Sequence, residues 1–531
     1  MEFLVLLSIL IGLVLFLFGI ENFNTELQKI NGESFRNFLR RSTDKRINAA
    51  IVGFLASALL NSSTAISLIS LSLVNNGLIS FSKSLPIFLG ANVGSTITTQ
   101  LIAFKFAKFA PLFLVFGFFL SFFNRYKIFG KIFFYFGMVF FGLGLISDAV
   151  SPISQEESVL TIFSSLKNPF LLIFLGVIFS AIVHSSALTI GIAIIFSSNN
   201  LLSLNQAIPL ILGANLGTTF TSLIASIKMD LYAKRAAFSH FFFNFFGVLI
   251  LFPFINSYAG FISSLGGSIE NQIANAHTIF NLLIAIFFFF TLDYFVIFAK
   301  KVIKGDEEEI LLQPKFINQI NVKNKENSFE LIEKEIAYYA DIDKKLFSLS
   351  KSLIENSDEK KFIRLRKFSS LSNILAKSIG DSLFLLSQEK LDEKEAKKIL
   401  YLIRLSNSLE QLGDLAEDLV YIPEKIRNEG YSFEKEEFLE LKDLFNKVDN
   451  YLNIFEKNFS RDFIKVKIDE KEIRNLIDKK YFKNISSLKK ENYPTGGLFV
   501  ELCSVLENTL FKISEIFDLS NHYLKVKKGF V

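Results

Sequence analysis

The sequence predicts an all-α, polytopic membrane protein with an inverted repeat and two re-entrant hairpins, followed by a soluble cytoplasmic helical-bundle domain. Half of the 531 residues are hydrophobic, and 63 of them are Phe. Up to about Lys301 they form segments long enough to cross a hydrocarbon core of ~30 Å as helices. Two stretches inside this apolar part repeat each other. From Lys304 onward the chain is rich in Lys, Glu and Asp, as a soluble helical bundle requires.

The apolar pattern predicts four segments: a first membrane repeat at 1–124, a second repeat with a final transmembrane helix at 125–303, a linker at 304–327 and a helical domain at 328–531. Seven stretches are expected to cross the membrane, at 3–20, 85–104, 109–124, 129–147, 207–227, 236–256 and 279–299. The first stretch follows an acidic Glu2 and precedes no small-residue cleavage site. A retained helix is therefore expected there, and not a signal peptide.

The repeat is clearest in the stretch LGANVGSTITT at 89–99, which returns as LGANLGTTFTS at 212–222. The offset is 123 residues, from Gly90 to Gly213. A second element keeps the same offset, because Asn61-Ser62-Ser63 aligns with His184-Ser185-Ser186. Two elements at one spacing indicate a duplicated unit.

Two apolar segments, 47–76 and 170–199, are interrupted midway by these Ser elements. The interruption favours hairpins that enter the bilayer and return to their own side. Each repeat then has three crossings, an odd number, so the second copy is inverted and the hairpin tips meet near the midplane. An alternative has each segment as two tilted full spans, which would move the Ser elements to the membrane face.

The charges follow the same topology. Basic residues beside the apolar stretches fall mostly on one side, which the positive-inside rule assigns to the cytoplasm together with the C-terminal domain. The net charge of +5 is small for this length and lies mostly near the membrane segments, which argues against nucleic-acid binding. Asp293 lies inside a predicted crossing about two turns from Lys300, so an interfacial ion pair between these two residues is expected.

Gly, Asn, Ser and Thr concentrated twice in apolar sequence favour broken helices, since these residues weaken helical regularity or bond to nearby backbone. A break exposes N–H groups at the positive end of one half-helix and carbonyl groups at the other. Such a site suits a small oxyanion and an alkali cation. The alternative is helix packing, in which small residues let membrane helices approach each other.

Together with AKRAAFSHFFFNFFG at 233–247 and ANAHTIFN at 274–281, these motifs resemble the sodium-dependent phosphate cotransporter family over most of the first 300 residues. The resemblance implies an inverted-repeat carrier of inorganic phosphate, coupled to Na+, in the lipid bilayer of the cell inner membrane, and not an enzyme. It implies phosphate binding by Asn61, Ser62, Ser63, Thr64, His184, Ser185 and Ser186. The sodium ligands are expected at Asn92, Ser95, Thr96, Asn215, Thr218 and Thr219. A homodimer is compatible with this interpretation.

The chain departs from the family pattern at its Ser elements. The family has Gln where this chain has Asn61 and His184, and its third Ser is Thr64 in one copy and Ala187 in the other. Ala187 lacks a hydroxyl ligand, which leaves the number of sodium ions open. His184 is either a packed, hydrogen-bonded residue or an anion ligand when protonated, and the second role predicts pH-dependent uptake.

Neither Ser element has Lys or Arg within ten residues on either side. Helix termini supply only about half a charge each, so a buried phosphate dianion would need cations bound with it. The same lack of fixed charge would also suit a neutral solute. Phosphate export and a non-transporting phosphate sensor are the two alternative functions.

The C-terminal domain contains SLEQLGDLAEDL at 408–419, which resembles the acidic helix motif of PhoU-like domains. Glu410, Asp414 and Asp418 share one helix face, where they predict a divalent or first-row metal site or, alternatively, a solvated acidic surface. The corresponding second motif, SEIFDLSNH at 514–522, offers only Glu515 and Asp518. The resemblance implies a domain that regulates the carrier.

Overall fold

The computed structural model describes the whole chain apart from residues 1, 42–44, 105, 306–307, 318–319, 321–322, 356–357, 430–434, 467, 469–470, 472–473, 476–477, 479–492 and 531. The chain divides into two compact units, Met1–Glu309 and Ile310–Val531, each with its own hydrophobic core. The division lies inside the segment predicted as a linker. Every regular element of the described residues is helical, as the sequence predicts.

The described residues of the first unit form thirteen α-helices that follow one another with short connections. They are α1 Glu2–Arg41, α2 Arg46–Leu60, α3 Ser63–Asn75, α4 Phe81–Ala103, α5 Ala110–Ser121, α6 Lys127–Ile153, α7 Glu157–Ser165, α8 Pro169–Val183, α9 Ser186–Ser198, α10 Leu204–Ser226, α11 Leu231–Leu251, α12 Ile255–Ser264 and α13 Ile269–Val302.

Five of the seven predicted crossings coincide with helices that are long and apolar enough to span a membrane: α1, α6, α10, α11 with α12, and α13. The stretch predicted at 85–104 forms the long helix α4 but is not among these candidate spans. The prediction at 109–124 fails on length, because α5 has 12 residues. At 1.5 Å per residue, α5 covers about 18 Å, less than the ~30 Å core.

The duplication extends to the helix boundaries. The helices α2, α3 and α4 begin and end 123 residues before α8, α9 and α10, as Arg46 and Pro169, Ser63 and Ser186, and Ala103 and Ser226 illustrate. Each predicted hairpin is therefore two short helices separated at its Ser element. Within each copy the first short helix packs against the long one, α2 against α4 and α8 against α10.

The Gly-Ala-Asn stretches do not break their helices, contrary to the sequence-based expectation. Both lie inside continuous helices, α4 and α10. Their glycines serve packing: a Cβ on Gly90 would collide with the carbonyl oxygen of Ala50, and a Cβ on Gly213 with that of Ile173. Close approach of two backbones, typical of small residues in membrane helices, explains these glycines.

The second unit is a bundle of long helices: α14 Lys325–Glu355, α15 Glu359–Ser387, α16 Glu393–Glu429, α17 Lys435–Asn458 and α18 Tyr493–Lys528. Apolar residues of all five meet in its core. Because α16 packs against α18, the two acidic motifs lie on neighbouring helices.

We expect Gly90→Ala to destabilise the protein by about 1–3 kcal/mol, the usual cost of overpacking, because the added methyl group meets backbone that cannot move aside. Gly144→Ala is the matched control, since no atom lies within 4 Å of a Cβ at that helical position. Thermal unfolding in detergent, followed by size-exclusion chromatography, measures both. Equal transition temperatures for the two variants would contradict the packing role of Gly90.

Candidate functional site

The two helix breaks have the same backbone geometry. Asn61 ends α2 with φ 48°, and His184 ends α8 with φ 55°, both in the left-handed region. Asn adopts this conformation more readily than most residues. The chain therefore turns at the two positions where the family Gln is replaced, and the next helix begins two residues later.

Each break is followed by a side-chain cap. The Ser62 hydroxyl accepts a hydrogen bond from the Ala65 N–H at 3.1 Å, and the Ser185 hydroxyl accepts one from the Leu188 N–H at 3.3 Å. The other N–H groups of a first turn have no partner within the helix. The N-termini of α3 and α9 thus have the polarity that attracts an anion.

A matching hydrogen bond ties each break to the long helix of its own copy. Thr98 of α4 donates to Asn61 Oδ1 at 2.9 Å, and Thr221 of α10 lies 2.7 Å from His184 Nδ1. Thr98 and Thr221 are themselves 123 residues apart. His184 is exposed and Asn61 half-buried, so the two breaks differ in accessibility as well as in chemistry.

The predicted sodium ligands lie buried along α4 and α10. Their hydroxyls donate to the carbonyl three residues earlier: Ser95 at 2.8 Å, Thr96 at 2.7 Å, Thr218 at 3.0 Å and Thr219 at 2.6 Å. A hydroxyl whose proton is engaged in this way offers only oxygen lone pairs to its surroundings. That arrangement suits a cation.

Two buried histidines hold the asparagines of the repeated stretches. His240 Nε2 lies 3.2 Å from Asn92 Oδ1, and His277 Nε2 lies 3.1 Å from Asn215 Oδ1. An amide oxygen only accepts hydrogen bonds, so both Nε2 atoms donate. Asn92 and Asn215 therefore each have their orientation set by a helix outside the repeated α2–α4 and α8–α10 units.

His277 also joins the two copies. Its Nδ1 lies 3.0 Å from the hydroxyl of Thr99 in α4, while its Nε2 contacts Asn215 in α10. One imidazole ring thus touches the repeated stretch of both copies. The two Gly-Ala-Asn helices meet around this ring inside the protein.

These histidines have no role predicted from the sequence, although a second repeat marks them. His240 and Asn244 recur as His277 and Asn281, and each Asn donates to the carbonyl of its His, at 3.1 Å and 2.9 Å. The His-x-x-x-Asn pattern, present in both α11 and α13, is visible in the sequence. Its contact with the repeated asparagines is not, because it depends on tertiary packing.

The first break has little free space in this conformation. A cavity of about 10 Å³ lies beside Asn61 and Thr98, and apolar side chains form the rest of its wall, among them Phe23 and Phe140. Such a volume holds about one water molecule.

Asp293 has a partner, although not the one expected. Its carboxylate pairs with Arg46 at the start of α2, with 3.1 Å between Arg46 Nη1 and Asp293 Oδ2. Both side chains are more than half exposed. The ion pair connects α13 to α2. It occurs in place of the predicted pair between Asp293 and Lys300.

The acidic row of the second unit lies on one exposed helix face, and its metal-binding role stays a prediction. Glu410, Asp414 and Asp418 are exposed on α16. Residues at i and i+8 lie about 12 Å apart along a helix, too far to share one ion. Among the described residues, no group of three or more His, Cys, Asp or Glu side chains could hold a metal.

A groove of about 450 Å³ runs beside this row between α16 and α18. Asp414 and Asp418 line it from one side, and Lys512 and Glu515 from the other. Lys512 already pairs with Glu515 at 2.6 Å. The groove is an acidic surface with one internal ion pair, which agrees with the solvated-face alternative.

Comparison with known proteins shows that residues 15–148 and 145–265 each match the family model described as Na+/Pi-cotransporter. The chain is 29% identical over 288 residues to the uncharacterized protein YqeW of Bacillus subtilis, covering 54% of this chain and 94% of that protein. It is 26% identical over 422 residues to YjbB of Escherichia coli K12, a protein named for inorganic phosphate export, with 78% and 77% covered.

A shorter match joins the chain to the Homo sapiens protein named sodium-dependent phosphate transport protein 2B, with 38% identity over 96 residues, 17% of this chain and 14% of that protein. No solved structure matches the chain. The double match of the family model coincides with the duplicated helices.

Replacing Ser62 or Ser185 by Ala should remove a helix cap worth about 1 kcal/mol, which corresponds to a roughly fivefold change in a local equilibrium. We expect amide exchange to accelerate by about that factor at Ala65 in Ser62→Ala and at Leu188 in Ser185→Ala. Hydrogen–deuterium exchange with mass spectrometry measures this. The Thr variants keep an accepting oxygen and serve as controls; unchanged exchange in both Ala variants would refute the capping role.

Proposed function

We propose, from the match of residues 15–265 to the Na+/Pi-cotransporter family model, that this chain transports inorganic phosphate across a cell membrane together with sodium. That family is one of transporters, and five helices of this chain are long and apolar enough to cross a membrane. The observation that carries the proposal is the contact of His277 with both copies of the repeated stretch, at Thr99 and Asn215. Through this contact, the repeated stretches of both copies lie close to one residue inside the first unit.

Phosphate is proposed to bind at the helix breaks, through Asn61, Ser62, Ser63 and Thr64 in the first copy and His184, Ser185 and Ser186 in the second. The N–H groups of Asn61 and Ser62 already donate to Ser57 O, so these two residues would contribute their side chains. Two half-helices begin there with their positive ends. The Asn215 amide adds a donor of the right kind. Its oxygen faces His277, and its buried NH2 group has no partner among the described residues. An oxyanion would satisfy that group.

Sodium is proposed to bind along α4 and α10, where Ser95, Thr96, Thr218 and Thr219 present oxygen lone pairs. The amides contribute less than the sequence suggested, because the Asn92 and Asn215 oxygens already accept from histidines. The number of sodium ions stays open. Since no Lys or Arg lies near either Ser element in sequence, a bound dianion depends on these cations for neutralisation.

We place the protein in the cell inner membrane with its C-terminal unit in the cytoplasm, where a PhoU-like domain would regulate transport. The segment that leads to this unit is fixed to helices of the site. Arg235 of α11 donates from Nε to Ile303 O and from Nη2 to Gly305 O, both at 3.0 Å. Glu309 accepts a hydrogen bond from the Phe81 N–H at the start of α4. A movement of this segment would therefore change its hydrogen bonds to α4 and α11.

Export is the second candidate function, favoured by the match to YjbB over 78% of this chain. The same site can move phosphate in either direction, because the gradients determine the net flux. A non-transporting sensor would use the site only to report occupancy to the C-terminal unit.

Purified protein in proteoliposomes should accumulate radiolabelled phosphate when a sodium gradient points inward, and replacing sodium by potassium should abolish the uptake. Gradients imposed in each direction distinguish import from export. Sulfate and a neutral solute in the same assay test selectivity. Sodium-independent flux would contradict coupling, and no flux in either direction would favour the sensor.

Ser186→Ala should reduce this uptake at least tenfold, since a buried hydroxyl beside the second break is lost. Ser198→Ala is the matched control, because Ser198 is an exposed serine at the other end of α9. Flux is measured at several phosphate concentrations with equal amounts of reconstituted protein. Equal losses in the two variants would place the site elsewhere.

A further inference from the structure

Contacts between the repeated helices and the histidine helices occur in matched pairs. The helix α4 packs against α11 and α13, and α10 packs against the same two helices. Asn92 of α4 contacts His240 of α11, while its equivalent Asn215 of α10 contacts His277 of α13. By these contacts, and not by the 123-residue offset, His240 corresponds to His277.

This correspondence predicts an equivalent for the Thr99–His277 hydrogen bond, and that equivalent is missing. Thr99 of α4 contacts His277 Nδ1 at 3.0 Å. The equivalent of Thr99, 123 residues later, is Ser222, and the equivalent of His277 is His240. Ser222 Oγ and His240 Nδ1 are both buried, and neither has a hydrogen-bond partner within the described part of the chain.

The two unpartnered atoms are chemically complementary. His240 Nε2 donates to Asn92, so Nδ1 of the neutral ring is an acceptor. The Ser222 hydroxyl can donate. Ser222 is 0% exposed and His240 2%, so bulk water does not compensate for the missing bond. The helices α10 and α11 that carry them are in contact.

Two other sets of equivalent polar positions are symmetric. Ser57 and Ser180 are also 123 residues apart, and their buried hydroxyls are unpartnered in both copies alike. The helix breaks are likewise equivalent, since Thr98–Asn61 and Thr221–His184 are both in contact. The repeated asparagines differ as well, because Asn92 Nδ2 donates to Asn244 Oδ1 at 3.4 Å whereas Asn215 Nδ2 has no partner among the described residues.

We propose that His240 and His277 are positioning residues that engage alternately: the Thr99–His277 bond holds the conformation described here, and a Ser222–His240 bond replaces it in a second conformation. The inference rests on the proposed transport function, in which the two copies exchange their roles between the two sides of the membrane. One bond forms as the other breaks. The exchange therefore changes the number of buried unpaired groups little, and two states of similar free energy result.

Thr99→Val removes the bond formed in this conformation with almost no change in volume, so the balance should shift toward the second state by about fivefold, the factor expected of one ordinary hydrogen bond. Ser222→Ala removes the bond formed only in the second state, so the balance should shift about as far in the opposite direction. The double variant should return near the wild-type balance. Ser197→Ala is the control, because it deletes another buried, unpartnered hydroxyl.

The balance is read from hydrogen–deuterium exchange at the two breaks, residues 61–65 and 184–188, in full-length protein in nanodiscs. Opposite changes in Thr99→Val and Ser222→Ala, with cancellation in the double variant and none in Ser197→Ala, would support the proposal. Changes in the same direction, or losses that add in the double variant, would overturn it and leave the histidines as structural residues.

The same preparations are assayed for phosphate flux, which separates this inference from the proposed function. Flux with an unchanged exchange balance in both variants overturns the alternating bonds and leaves transport standing. Opposite shifts in a protein without flux support the alternating bonds and remove the transport role.

Discussion

The imidazole of His277 is the contact on which the site depends, because it touches Thr99 in one copy and Asn215 in the other. The two copies also pack against each other directly, α4 against α9 and α10 against α3, and they share one hydrophobic core. The close packing of α4 on α2, and of α10 on α8, places each long helix beside the break of its own copy. The glycines Gly90 and Gly213 allow this approach by leaving room for backbone oxygens.

The repeated polar residues thus divide into two groups with different tasks. Glycines of the Gly-Ala-Asn stretches serve packing within unbroken helices, whereas Asn61 and His184 interrupt the chain. Sequence alone could not separate the two tasks, because a glycine in an apolar helix is compatible with a break and with a close contact. A left-handed residue followed by a serine cap is the local pattern that distinguishes a break.

How far the sequence predicts the structure depends on the range of the interaction involved. The offset of 123 residues predicted equivalent helices, and the boundaries of α2–α4 and α8–α10 agree with it. The crossing at 109–124 was wrong because apolar composition does not reveal that α5 ends after 12 residues. The roles of His240 and His277, and the Arg46–Asp293 ion pair, arise from residues more than 60 positions apart, which a local pattern cannot show.

Near-equivalence of the two copies has a thermodynamic consequence. Identical copies would make the two conformations of an exchanging pair equal in free energy, and any substitution in one copy alone sets a bias between them. Thr99 and its equivalent Ser222 differ little in chemistry. Asn61 and His184, and likewise Thr64 and Ala187, differ more. These substitutions leave the shared backbone geometry of the breaks intact. Divergence of the side chains can therefore tune which conformation is populated while the duplicated scaffold keeps both accessible.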